Sequence, residues 1–206
     1  ATATQQTGFS FIAEARNDMP DPIGGILWFG VDDASTCVYV PMYCGMTSVP
    51  QSYAVGNGDL LTYSDNSAFW AFNFVSNFAY LRYNVMIEDI RKKQEALETG
   101  FIKKVASVDK KALELYKEDP EKAIALITNF SVDAGNHTVA TWKELGHYLL
   151  VKYMDGNIKK EKNGQFLRNE YGYPAFPDQP GYSEEWKREV VKDTDDKLLV
   201  PGGGGH

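Results

Sequence analysis

Nitrogen and sulfur metal ligands are scarce in this 206-residue chain, which holds two cysteines and three histidines. Cys37 and Cys44 are seven residues apart, no CxxC pattern occurs, and His137, His147 and His206 do not converge with them. A disulfide-stapled scaffold and a structural zinc site are therefore not expected, and no metal or cofactor is called for. An odd separation would put the two thiols on opposite faces of a regular strand, so a bridge between them would need a sharp bend. No apolar run approaches the roughly 20 residues of a bilayer-crossing helix, so no membrane span is expected. The opening ATATQQTGFSF has no charged region leading into an apolar core, so it does not read as a signal peptide. Lys and Arg number 21 against 28 Asp and Glu, for a net charge of −7. No run gathers the cations into a basic stripe, and nucleic acid is not an expected partner, because neutralising phosphates takes clustered cations.

What is present reads as a globular protein. Hydrophobic residues make up 43% and charged residues 24%, enough for one sizeable domain or two small ones. TGFSFIAEAR (7–16) alternates, with Phe9, Phe11 and Ala13 on one face. MPDPIGG (19–25) is a turn, and ILWFGV (26–31) fits a strand buried on both faces. After a DDAS turn, TCVYVPMYCGM (36–46) is a third strand, with Pro41 marking a bulge or an edge position. Short turns between strands predict an antiparallel meander over 1–66.

A helical region follows over 67–192, and 193–206 reads as an unstructured tail. Ser64, Asp65 or Asn66 would cap a helix whose Phe69, Phe72, Ser76, Tyr80 and Tyr83 share one face. It is expected to run to about Glu98 and to break at Gly100. Further helices are predicted over 101–118, 121–130 and 133–154, the last with a Val139–Trp142–Leu145–Leu149–Tyr153 stripe. Residues 155–182 are loop-rich, and SEEWKREVVK (183–192) is a short helix with a serine cap. Strands first and helices after is an α+β pattern. Three strands alone make a poor domain, so the meander is expected to complete a larger sheet.

IGGILWFGVDDASTCVYVPMYCGMTSVPQSYAVG and FWAFNFVSNFAYLRY resemble the C-terminal half of bacterial dipeptidases of the dipeptidase A type. The likeness covers about residues 7–90 and continues more loosely to EEWKREVV. It implies a four-layer αββα sandwich of the N-terminal-nucleophile class, which the antiparallel strands complete. It also implies an amino-terminal cysteine nucleophile whose own α-amine is the base, dipeptide or short-peptide substrates, no metal, and a homo-oligomer. This chain starts Ala1-Thr2-Ala3-Thr4, so the nucleophile is expected upstream of Ala1, on an N-terminal half of the same enzyme. The chain reads as a C-terminal piece that is inactive alone, and a threonine nucleophile at Thr2 or Thr4 is the weaker reading.

Tyr43, Asn73 and Asn77 are the candidate substrate-binding residues: a strand tyrosine able to line a cleft, and two amides on an aromatic helix able to hold a peptide carbonyl. The competing reading makes all three structural, since buried amides and strand tyrosines satisfy their neighbours. Tyr39 and Asn84 read the same way. Cys44 is expected to be a buried, inert thiol, with no Lys, Arg or His between 17 and 81 to activate it. Asp32 and Asp33 suggest an acid–base pair, but adjacent acids in a turn are more simply Asx-turn residues. Arg82 suits a substrate carboxylate or a structural ion pair. Three functions follow: part of a cysteine dipeptidase, a non-catalytic binding or interaction module, or a hydrolase pairing Cys44 with His137 or His147.

Overall fold

The computed structural model describes residues 3–195 and 197. The chain divides into two compact units, residues 1–150 and 151–206. That boundary falls inside the segment read as helical from sequence.

The first unit is built on a three-stranded antiparallel sheet in the order β1 (Phe9–Ala15), β2 (Gly25–Val31), β3 (Val40–Tyr43). Phe9 lies opposite Val31 and Ala15 opposite Gly25, while Ile26 lies opposite Tyr43 and Phe29 opposite Val40. The predicted meander is present. Two details differ. The 19–25 turn winds into a short helix α1 (Asp21–Gly24), and the third strand keeps only four of its eleven expected residues. Residues 36–39 leave the ladder because the β2–β3 turn is anchored elsewhere, as described below. Pro41 does sit on an edge strand, where its missing N–H costs the ladder nothing.

Three helices cover the sheet: α2 (Ala68–Ala79), α3 (Tyr83–Glu118) and α4 (Pro120–Tyr153). The break expected at Gly100 is absent. A Cβ there would meet open space, and Leu97 and Phe101 bury on either side of it, so packing overrides the roughly 1 kcal/mol penalty of a helical glycine. The real break lies at Tyr80–Arg82, with Arg82 at φ −153° and ψ 61°. There the buried face passes from Ala71, Phe72 and Val75 to Met86, Ile87 and Ile90. The predicted gap at 131–132 is also closed, because Ser131 is fully buried and bonded. Ser67, rather than Ser64, Asp65 or Asn66, precedes α2, and it makes no side-chain cap bond. Pro120 opens α4, where a first-turn proline is tolerated.

Ile23, Ile26 and Tyr43 pack against Val105, Ala112 and Ile127 to form the core between sheet and helices. Phe72 stacks on Trp142 with ring centroids 5.1 Å apart, and the predicted stripe of Val139, Trp142, Leu145, Leu149 and Tyr153 is buried. Gly146 lets α4 meet the Phe74 ring, where a Cβ would stand 2.8 Å away.

The charge pattern needs one correction. The lysine doublets of α3 are scattered in the linear sequence, yet the helix winds Lys92, Lys103, Lys110 and Lys117 onto one row. Lys93, Lys104 and Lys111 form the row beside it, and all seven are exposed. A basic stripe therefore exists, hidden from a linear reading by the three- and two-turn intervals between its members.

In the second unit, β4 (Glu161–Lys162) and β5 (Gln165–Phe166) form a hairpin around Asn163 and Gly164 at φ 53° and 76°. An Asn-Gly pair is suited to such a turn because both positions require positive φ. Helix α5 (Glu184–Thr194) begins at Ser183, whose Oγ accepts the Trp186 N–H at 3.1 Å, as its serine cap predicted. No helix is long and apolar enough to cross a membrane among the described residues. The Gly-rich ending, 198–206, lies outside them.

Candidate functional site

The β2–β3 turn carries two buried carboxylates. Asp32, at φ 66°, accepts Ser76 Oγ at 2.6 Å and Asn73 Nδ2 at 3.1 Å. Asp33 accepts the Tyr80 hydroxyl at 2.6 Å and the Ser35 N–H at 2.8 Å. Asn73, Ser76 and Tyr80 are all supplied by α2 and its last turn, so the pair fastens that helix to the turn. The bond to Asp33 raises the Tyr80 phenol to about 12, with burial adding to it. A strained, non-glycine turn persists only when its surroundings over-determine it, and this network does so. The general acid–base reading of Asp32 and Asp33 has nothing to act on here, because each carboxylate is occupied by α2 donors. The Asx-turn reading holds for Asp33.

A second node joins the sheet to α3. Arg16 Nη1 meets Asp109 Oδ2 at 2.5 Å, and Nη2 donates to the Ile23 carbonyl at 2.7 Å. Tyr43 donates its hydroxyl to Asp109 Oδ1 at 2.6 Å, and its N–H reaches Ser131 Oγ at 3.2 Å. Burial, then the bond to Asp109, pushes the Tyr43 phenol well above its ordinary value, so it stays a protonated donor. Burial lowers the Arg16 guanidinium, but the Asp109 hydrogen bond and charge outweigh it, and the net shift is upward.

The sheet also has an uncovered side. Between it and the Gln51–Tyr53 turn lies an apolar hollow of about 380 Å³ lined by Leu27, Phe29, Met42, Cys44, Val49 and Tyr53. A neighbouring hollow of about 370 Å³ runs from Phe9, Phe29 and Val31 to Gly56 and Phe69. Phe29 and Tyr53, edge to face at 6.5 Å, divide the two. These hollows can hold apolar side chains but contain no acid, base or cation.

The predicted site residues do not meet in one place. Tyr43 is 1% exposed and bonded to Asp109. Asn73 is half-buried on Asp32. Asn77 is exposed and donates to its own helix, at the Asn73 carbonyl, 3.0 Å away. Tyr39 shares a hydrogen bond with Ser10 at 3.0 Å and gives its N–H to Glu98 at the same distance. Burial raises the Glu98 carboxyl, opposed by that N–H.

The cysteines correct one expectation. Cys44 is exposed and Cys37 buried, and both are free. Cys44 falls one residue past the end of β3, beyond the helical cover. Burial pushes the Cys37 thiol up to about 11. Sequence reasoning missed Asp109 and Ser131, mid-helix residues whose only signal was polarity on an otherwise apolar face.

Comparison with known proteins agrees with the first part of the chain. Residues 1–96 match the model of peptidase family C69. A relative from Latilactobacillus sakei, named "Probable dipeptidase", is 24% identical over 141 residues, covering 68% of this chain and 27% of the relative. The chain thus spans about a quarter of the length of the curated relative it matches. The likeness read from the strands and the aromatic helix holds, and it is a likeness to a C69 dipeptidase portion.

Proposed function

With residues 1–96 matched to peptidase family C69, we propose that this chain is the C-terminal part of a cysteine dipeptidase that hydrolyses dipeptides or short peptides. The nucleophile is an N-terminal cysteine carried outside this chain, and these strands and helices complete an αββα sandwich around it. One observation carries the reading. Among the described residues no strand pairs with the outer edge of β1, and Phe9 and Phe11 are 59% and 55% exposed on the uncovered face.

The register makes that edge specific. Asp32 donates to the Gly8 carbonyl and Arg16 to the Gly24 carbonyl, both at 2.9 Å. Bonded pairs alternate in an antiparallel ladder, so the even residues of β1 face β2, and Phe9, Phe11, Ala13 and Ala15 turn their N–H and C=O groups outward. An added strand would satisfy those groups and bring a second apolar layer over Phe9, Leu27 and Phe29.

In such an enzyme the amine takes the thiol proton and the thiolate attacks the scissile carbonyl. The leaving amine departs with that proton, and water then cleaves the thioester. This chain's share is positional. The Asp32–Ser76 and Arg16–Asp109–Tyr43 nodes hold the sheet rigid beneath the reacting layer. Of Tyr43, Asn73 and Asn77, substrate contact falls to Asn77, the exposed one. Assembly into a homo-oligomer belongs to the same reading.

The test is denaturing mass spectrometry with N-terminal sequencing of protein purified from its source. A companion polypeptide starting with Cys, or a longer chain containing this one and starting with Cys, is the expected result. Its Cys→Ala variant should lose dipeptide hydrolysis. A single species of 23.1 kDa starting at Ala1 overturns the dipeptidase reading in favour of a non-catalytic interaction module.

A further inference from the structure

We propose that the lysine stripe of α3 is an electrostatic docking surface for an anionic lipid bilayer. The inference does not depend on the peptidase reading. Lys92, Lys103, Lys110 and Lys117 are separated by 11, 7 and 7 residues, which are about three, two and two turns at 3.6 residues per turn. Lys93, Lys104 and Lys111 repeat the spacing one residue on. Seven ammonium groups therefore occupy two rows, about 100° apart around the helix, along about 38 Å of its length.

The opposite side of α3 is fixed against the core by Leu97, Phe101, Val105 and Ala112. The stripe consequently faces solvent as a single surface. Lys92 pairs with Asp89 at 3.3 Å. Among the described residues the other six lysines make no ion pair. Glu95 lies off the rows, but Glu88 and Asp89 flank their start and Glu114 and Glu118 lie between them at the other end, so seven lysines face four carboxylates and the stripe keeps a surplus of positive charge. In a chain of net charge −7, a net-positive stripe of this length is a local exception to the overall field.

Shape selects the partner. A straight stripe can rest all its cations on a plane at once, as a polybasic helix does on anionic headgroups. The backbone of duplex DNA winds through a full turn over roughly the same 34–36 Å, so only part of the stripe would meet one strand. Single-stranded nucleic acid requires aromatic platforms, and the residues among the lysines, Ala96, Thr99, Gly100, Ser107 and Glu114, include no aromatic. The contact is peripheral, since the stripe has no apolar row to insert.

The test is co-sedimentation of the whole protein with vesicles of equimolar phosphatidylglycerol and phosphatidylcholine, against phosphatidylcholine alone. Partitioning should be at least about tenfold stronger on the anionic vesicles and vanish at about 0.5 M salt. A variant with Lys93, Lys103, Lys104, Lys110, Lys111 and Lys117 changed to Gln, its helicity checked by circular dichroism, should lose at least about tenfold. Lys122, Lys187 and Lys192 changed to Gln together should leave binding unchanged. Equal binding to both vesicles overturns the proposal. So does undiminished binding by the stripe variant, or retention by duplex DNA or polyglutamate in place of the vesicles. The salt titration needs no variant, so a variant that fails to fold does not shield the proposal.

Discussion

The two edge strands of the sheet belong to one meander and share β2 as their neighbour, yet they end in opposite environments. In β3, Val40, Met42 and Tyr43 are 0%, 9% and 1% exposed. Helix side chains hold the strand and the segment that leads into it: Gln94 donates to the Cys37 carbonyl at 2.6 Å, Glu98 accepts the Tyr39 N–H, and Ser131 accepts that of Tyr43 on the outer edge. In β1, Phe9, Phe11 and Ile12 are all more than half exposed, and among the described residues nothing pairs with the edge its odd residues turn outward. A sequence pays for burying polar groups by supplying partners, and here it supplies them on one side only. Natural proteins blunt or cover long edges that stay free. β1 carries no Pro or Lys to blunt it, and Glu14 is its one charged residue.

The sharpest test of the contrast removes a partner from the closed side. Asp109→Ala removes the carboxylate partner of the Arg16 guanidinium, which keeps only its carbonyl bonds to Ile23 and Gly24 and a longer contact to Glu14, and leaves the buried Tyr43 hydroxyl without its acceptor. Breaking such a buried pair costs about 3–5 kcal/mol, which urea denaturation would register as a large fall in midpoint. Val40→Ala should follow, at about 1–3 kcal/mol for methyl groups lost from a fully buried site. On the open side, Phe11→Ser should change the stability of this chain by less than about 0.5 kcal/mol. The same substitution should weaken self-association of the isolated chain, read by sedimentation velocity. A large stability loss at Phe11 would mean that β1 is already covered, and the comparison would collapse.

Legibility from sequence divides along the same line. The meander and the α4 stripe were readable because alternation and 3.6-residue periodicity report burial directly, whereas β2, expected to be buried on both faces, is only half-buried at Leu27, Trp28 and Phe29 because one side of the sheet is uncovered. Helix breaks were not. Gly100 carried a local signal that packing by Leu97 and Phe101 overrode, whereas Tyr80–Arg82 broke a helix with no breaker residue, because the core changes position there. The polar nodes were half legible. Asp32 and Asp33 stood out as a pair, but their acceptor role depends on Asn73, Ser76 and Tyr80, more than forty residues away. Asn73 and Tyr43 drew notice as odd polar groups among apolar ones, and the structure gives both of them internal partners. The lysine stripe was invisible in linear order because its members are three and two turns apart.

Smaller effects probe how firmly the turn is fastened. Tyr80→Phe removes one charge-assisted hydrogen bond at a partly exposed position, a loss of about 1–2 kcal/mol. The expected signature is earlier hydrogen exchange in α2, leaving α3 protected.

The thiols give the finest test, because they sit at the two ends of the segment that becomes β3. Cys44, exposed, should react with an alkylating reagent in the native protein, while Cys37 should react only after unfolding. Cys37 also links stability to pH. Its folded pKa of about 11 stands above the ordinary thiol value of 9.0, so the folded state holds the proton more tightly than the unfolded one. The contribution is complete below pH 9 and disappears as pH rises through about 11, on the order of 2–3 kcal/mol in all. Cys37→Ser or Cys37→Ala should flatten the alkaline limb of a stability–pH profile between those values, and Cys44→Ala should leave it unchanged. Equal alkylation of both native thiols would show that the 36–39 segment opens as readily as β1, and the closed edge of the sheet would then be no firmer than the open one.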